Sequence, residues 1–192
     1  MLATVAQLKS VLGLPAHDVA DDEQLEFILQ AVTARFERET DRRFGYLSGA
    51  VYEFAARDTR VLPNRLPVWK VLRFEEKSLA ADEWVEVQAP RLAIRHGVIY
   101  LAWPLPCTGP VARVIYDGGY ILPGQAPVEG VEPLPADLQN AALRQAAYWW
   151  QRRNQLGLVS ISGEGGAITQ FASQDLLPEV VATLEKYQRF TF

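Results

Sequence analysis

The sequence predicts an α+β fold, a small helical bundle of about three to four helices carrying an inserted antiparallel β domain. Apolar residues recur at three- and four-residue steps near both ends of the 192-residue chain, the signature of one buried helical face. Between them, from about Val51 to Tyr116, the period shortens to two and the segments are cut by turn residues. Hydrophobic residues make up 49% and charged residues 22%, the balance of a chain that buries a core.

Thr4 is placed to cap a short helix that runs through Leu12 and is ended by Gly13 and Pro15. Asp21, Asp22 and Glu23 put carboxylates at the start of the second helix, where its dipole favours negative charge. Leu25, Ile28, Leu29, Val32 and Phe36 then form its buried face, up to about Thr40. Phe27 projects off that stripe. Two readings stand open for it, a rim contact within its own subunit or a contact between subunits.

In the β segment, Val68, Leu72 and Phe74 share one parity and Trp69 and Val71 the other, a strand covered on both sides. Residues 84–88 alternate in the same way, and residues 111–116 close the set. Leu92 to Ile94 and Val98 to Leu101 flank Arg95-His96-Gly97, a hairpin signal. The expectation is a sheet or barrel of about five or six strands. Asp117-Gly118-Gly119-Tyr120 ends the β run, and Pro123, Pro127 and Pro133 mark a loop that cannot be a central strand.

Pro135 suits the first turn of the third helix. Leu138, Ala141, Ala142, Gln145 and Trp149 form its expected packing stripe, leaving Trp150 off it. Arg152 and Arg153 lie at its C-terminal end, where the dipole favours cations. The glycines of residues 157–173 predict a loop or arm that orders against something else. Pro178 starts a last helix with Val180, Val181, Leu184 and Tyr187 on one side, and the chain closes on Arg189-Phe190-Thr191-Phe192. The expected organisation is residues 1–48 as the first helices, 49–120 as the β domain, 121–156 as loop and core helix, and 157–192 as loop, short helix and arm.

Catalytic chemistry has little to stand on. His17 and His96 fall in expected loops with no second ligand at metal spacing, so neither a metal nor a cofactor is expected. Cys107 is the single cysteine, which excludes an internal disulfide and fits a small, partly buried thiol. The residues therefore read as a non-enzyme. The net charge of −4 argues against a wholly basic nucleic-acid binder. Arg152 and Arg153, beside Tyr148, Trp149 and Trp150, still leave a nucleic-acid-binding module as the alternative to plain helix capping. No segment reaches the roughly 18 apolar residues of a membrane span, and the first residues lack the pattern of an export signal.

The order of segments carries a resemblance. Val5-Ala6-Gln7-Leu8-Lys9, Asp21-Asp22-Glu23-Gln24-Leu25 and Glu39-Thr40-Asp41-Arg42-Arg43-Phe44 resemble the opening of tailed-phage and gene-transfer-agent head–tail connectors, the head-completion adaptors. The run into Leu66-Pro67-Val68 and the run out through Val114-Ile115-Tyr116-Asp117-Gly118-Gly119-Tyr120 are similar to the β insertion of longer members. Residues 134–154 are similar to the third helix. The resemblance implies a structural virion protein at the head–tail interface, assembled in the host cytoplasm as a ring on the portal vertex. Its implied partners are the portal protein, a neck or tail (stopper) protein, further copies of itself in a ring (a dodecamer), and DNA passing non-specifically through the lumen. It implies no membrane partner. A heterologous ring needs two different surfaces on each subunit. The residues expected to supply partner contacts are Phe27, Trp150, Arg152, Arg153, Tyr187, Phe190 and Phe192.

Overall fold

A computed structural model describes residues 1–77, 83–153, 160–162, 168–170 and 176–189, with backbone alone for 160–162 and 168–170. It has the α+β architecture expected, built as two compact units. One comprises Met1–Thr40 with Pro135–Gln188, the other Asp41–Leu134 with Arg189–Phe192. The chain thus leaves the helical unit directly after its second helix. The Pro-rich segment up to Leu134 packs with the β unit, whereas the sequence suggested breaks near residues 48 and 120.

The helical unit holds α1 (Val5–Leu12), α2 (Asp22–Thr40), α3 (Ala136–Gln151) and α4 (Pro178–Glu185). Thr4 caps α1 in a capping box with Gln7, and Gly13 closes it in a left-handed conformation. Lys9 is buried, yet its Nζ donates to the carbonyl of Asp18 and pairs with the Asp22 carboxylate, tying α1 to the start of α2. Leu25, Leu29, Val32 and Phe36 form the buried face of α2. Pro135 takes the position just before the first turn of α3, one residue earlier than expected.

Helix α3 packs against all three other helices. Its buried arc is correspondingly wide: Leu138, Ala141, Ala142, Gln145, Ala146, Ala147 and Trp150. Trp150, expected to lie off the packed face, is therefore buried, with 5% of its surface exposed. Three neighbours leave a helix no narrow apolar stripe, and alanines at 141, 142, 146 and 147 let those neighbours approach closely. Gln145 is fully buried because its side-chain oxygen accepts the Leu177 N–H at 2.9 Å, satisfying the start of α4. Within the Gly-rich segment, β8 (Ser160–Ser162) pairs antiparallel with β9 (Ile168–Gln170), a short ladder where only a loop was expected. The rest of that segment lies outside the described residues.

The β unit holds β1 (Leu47–Ala55), β2 (Arg60–Val61), β3 (Val68–Lys77), β4 (Trp84–Val87), β5 (Leu92–Arg95), β6 (Val98–Leu101) and β7 (Val111–Gly118). They form a four-stranded sheet in the order β1-β7-β3-β4 and a three-stranded sheet in the order β2-β6-β5. One core joins them, including Phe74, Val114 and Tyr116 from the first sheet and Val61, Ile99 and Leu101 from the second. The β5–β6 hairpin closes at His96 and Gly97, both with positive φ, the turn that matches strand twist. Leu72 is exposed, whereas the sequence suggested a strand covered on both sides. Register shifts on either side of Val71 break the alternation of β3 before it reaches Phe74.

Gly118 and Gly119 sit where three chain segments meet. The Gly119 N–H donates to the Pro67 carbonyl at 2.9 Å and the Tyr120 N–H to that of Phe44 at 2.7 Å. A Cβ on Gly119, at φ +95°, would lie 2.5 Å from the Gly45 carbonyl oxygen. The Leu66–Pro67 peptide at the same crossing is cis. Tyr116 reaches it from below, its hydroxyl accepting the Arg65 N–H at 3.2 Å. Burial pushes the Tyr116 phenol up to about 12.

Candidate functional site

Among the described residues, neither cavity brings together an acid, a base and a nucleophile, and the surfaces are the better candidates. Cys107 borders a 510 Å³ pocket lined by Ala55, Arg57, Leu105 and Pro110 among others, and no described lining residue is a carboxylate or an imidazole. Burial, and secondarily the charge of Glu76, pushes the Cys107 thiol up, which keeps it protonated and a poor nucleophile.

Helix α2 turns Phe27 outward, 71% exposed, with Glu23, Gln30, Ala34 and Arg38 along the same side. Within this subunit the ring is not a rim contact of any depth. The helical period that buries Leu25, Leu29 and Val32 dictates this: position 27 lies off their face. Of the described residues expected to meet partners, Phe27 is the one left with most of its apolar surface in water.

Trp150, Arg152, Arg153 and Tyr187 are engaged inside the helical unit. Arg153 lies over the Trp150 ring at 3.8 Å and donates to the Trp150 carbonyl at 2.8 Å. Arg152 stacks on Tyr148 and donates to its hydroxyl at 2.5 Å. Both arginines thus place their charge at the C-terminal end of α3, where the dipole favours it, and Arg153 satisfies a carbonyl there. Tyr187 is half-buried, and its hydroxyl donates to Asp137 at 2.6 Å near the start of α3. Phe190 and Phe192 lie outside the described residues.

Arg189 is not the first residue of a free arm. Its guanidinium pairs with Asp41 and donates to the Tyr52 hydroxyl at 3.0 Å and the Leu62 carbonyl at 2.8 Å, with 10% of its side chain exposed. Sequence spacing could not signal this anchor, since its partners lie more than a hundred positions away.

The outward face of the four-stranded sheet carries a charged row, Glu53–Arg113–Glu75–Glu86, one residue from each of β1, β7, β3 and β4. Glu75 is buried. Arg73 donates to it at 2.7 Å and Arg113 at 2.5 Å, and Arg113 also stacks on Trp84 at 4.2 Å. Burial opposes the Glu75 charge, but the two guanidiniums outweigh it and hold the carboxyl below its ordinary value. At the end of β3, the backbone N–H groups of Gly109 and Thr108 hold the Glu76 carboxyl low as well. Glu75 is paired with two guanidiniums and Glu76 is held by backbone N–H groups, so both stay in the charged form.

The chain matches no protein-family model and no curated protein. Its fold is similar to that of chains in gene transfer agent particles. One, from the neck of an empty GTA particle computed with C6 symmetry, is 24% identical with a TM-score of 0.60, over 98% of this chain and 90% of that one. A second, from the neck of the native GTA particle computed with C12 symmetry, is 20% identical with a TM-score of 0.57, over 98% and 89%. A third, from the virion of the native gene transfer agent particle, is 21% identical with a TM-score of 0.59, over 98% and 90%. The likeness is one of fold, and it takes in both the helical and the β parts of the chain.

Proposed function

We propose that this protein is a structural virion component, a head–tail connector that assembles as a ring on the portal vertex. The observation that carries the reading is fold likeness to neck chains over 98% of this chain, in assemblies of C6 and C12 symmetry. In this reading the ring is a dodecamer that extends the DNA channel and gives neck or tail (stopper) proteins a platform. DNA passes through the lumen without sequence readout. The protein is assembled in the host cytoplasm and does no catalysis. Phe27 is the leading partner contact, and Phe190 and Phe192, one and three residues beyond the Arg189 anchor, are the segment offered to the portal or a neighbouring subunit. The nucleic-acid alternative at Arg152 and Arg153 has no observation in its favour, because both guanidiniums are taken up at the end of α3.

The native mass of the protein, alone and mixed with portal-bearing capsids, tests the proposal. Capture on the capsids as a single species of about twelve copies is expected. A protein that remains a free monomer in that mixture refutes it.

A further inference from the structure

The β5–β6 hairpin carries a cleft of 670 Å³ lined by Arg91, Leu92, Arg95, His96 and Tyr100 among others, with no carboxylate among the described lining residues. Arg91 and Arg95 are exposed, and neither has an ion pair among the described residues. Tyr100 faces outward opposite Ala93, 38% exposed, with the Arg60 guanidinium 5.9 Å from its ring on the other side. Exposed arginines beside a partly exposed tyrosine ring fit a contact surface, because Tyr and Arg are among the residues that anchor protein interfaces.

The same unit presents the matching chemistry elsewhere. From Arg113 to Arg144 the sequence has no cation, while Glu129 and Glu132 stand in the segment Pro127-Val128-Glu129-Gly130-Val131-Glu132-Pro133. Val128 is 40% exposed and both glutamates are exposed. The segment is held in shape by its own backbone. The Ile121 N–H donates to the Glu132 carbonyl at 3.0 Å, the Leu134 N–H to that of Ile121 at 2.9 Å, and the Val131 N–H to that of Val128 at 3.1 Å. Docking such a preformed, proline-flanked loop loses little conformational entropy.

We propose that the loop of residues 123–133 of one copy docks into the β5–β6 cleft of the next, with Glu129 and Glu132 meeting Arg91 and Arg95 and Val128 lying against Tyr100. The contact joins two different surfaces of one chain, the head-to-tail geometry that closes a ring. It rests on the ring reading above and assigns that ring a subunit interface.

The test is a charge swap in the full chain. Protein with R91E and R95E, protein with E129K and E132K, and an equimolar mixture of the two are compared with the wild type by sedimentation velocity up to about 1 mM. All these residues are exposed, and circular dichroism checks that each variant folds. The wild type should self-associate with rising concentration, and each variant alone should lose on the order of tenfold or more in affinity. The mixture should recover it, because an acidic cleft then meets a basic loop and a basic cleft an acidic one. Unchanged association in either variant, no recovery in the mixture, or a wild type that stays monomeric overturns the contact. Weakened binding of labelled duplex DNA by the R91E and R95E protein, with self-association intact, also overturns it and gives the cleft to nucleic acid. Capsid capture separates the two readings: association that survives both swaps while rings still form on portal sinks this interface alone, whereas no assembly on portal sinks the ring.

Discussion

Replacing Phe27 and Trp150 one at a time separates assembly from folding. Phe27 is 71% exposed, so of a ring burying about 200 Å² some 140 Å² remains for a partner to cover. At about 25 cal/mol per Å² that is at most ~3.5 kcal/mol per contact, and an alanine keeps part of it. Phe27→Ala should therefore cost about 2 kcal/mol per contact, roughly thirtyfold in affinity. It should move the stability of the free subunit by no more than about 0.5 kcal/mol. Trp150→Ala should do the reverse. With the indole 5% exposed and Arg153 stacked on it, truncation should destabilise the subunit by about 3–5 kcal/mol. Urea denaturation of the free subunits, set beside capture by portal-bearing capsids, reads both quantities. A Phe27→Ala protein captured as well as the wild type would refute the assignment of that ring to a partner. A Trp150→Ala protein that unfolds at the wild-type midpoint would refute its burial.

Gly119→Ala should unfold the β unit or shift its melting sharply, because a Cβ there meets the Gly45 carbonyl at 2.5 Å from a positive-φ residue; a wild-type melting curve would contradict the crossing. Arg189→Ala should lower stability by about 1–2 kcal/mol, whereas removing only Phe190 to Phe192 should leave melting unchanged and abolish capsid attachment; full attachment by that truncation would count against the arm. Tyr116 bears on the alkaline limb. Its folded pKa of about 12 lies above the ordinary value of 10.0, so its contribution is complete below that value and is lost as pH rises through the interval. Tyr116→Phe should flatten the stability profile there, and an identical profile would refute the shift. Glu76 acts at the acid end: its carboxyl is held low, so its contribution is present above the ordinary carboxylate range and disappears as pH falls below it. Glu76→Gln should flatten that acid limb.

The helices were legible where one face decides burial. Leu25, Leu29, Val32 and Phe36 are buried as their spacing requires, and Thr4 caps α1 as its neighbours suggest. Period alone could not show how many neighbours a helix has. That is why Trp150 is buried and Trp149 is only partly so. Strand β3 shows the analogous limit, since a bulge adds a residue without leaving a mark in the composition, and Leu72 turns outward. The His96-Gly97 turn was readable because a two-residue hairpin demands positive φ. The Arg189 anchor and the Glu75 cluster depend on residues brought together from distant segments, which no local pattern reports, whereas the cleft at Arg91 and Arg95 lies within one hairpin.

The distribution of exposed apolar residues bears on how assembly proceeds. Val11, Val19 and Phe27 are exposed in the helical unit, and Val51, Leu72, Tyr100 and Val128 in the β unit. None supplies more than a few kcal/mol, while docking two proteins costs about 4–15 kcal/mol in lost motion. Any one contact is then weak in free solution. A ring changes the arithmetic, because each subunit uses two surfaces at once and the last to enter closes two contacts for one loss of motion. Capsid-bound subunits should accordingly assemble at concentrations where the free protein remains monomeric, and the step should be cooperative in subunit concentration. A linear, non-cooperative filling of the vertex, followed by native mass at successive additions, would show that each subunit is held by the portal alone and that lateral contacts contribute nothing.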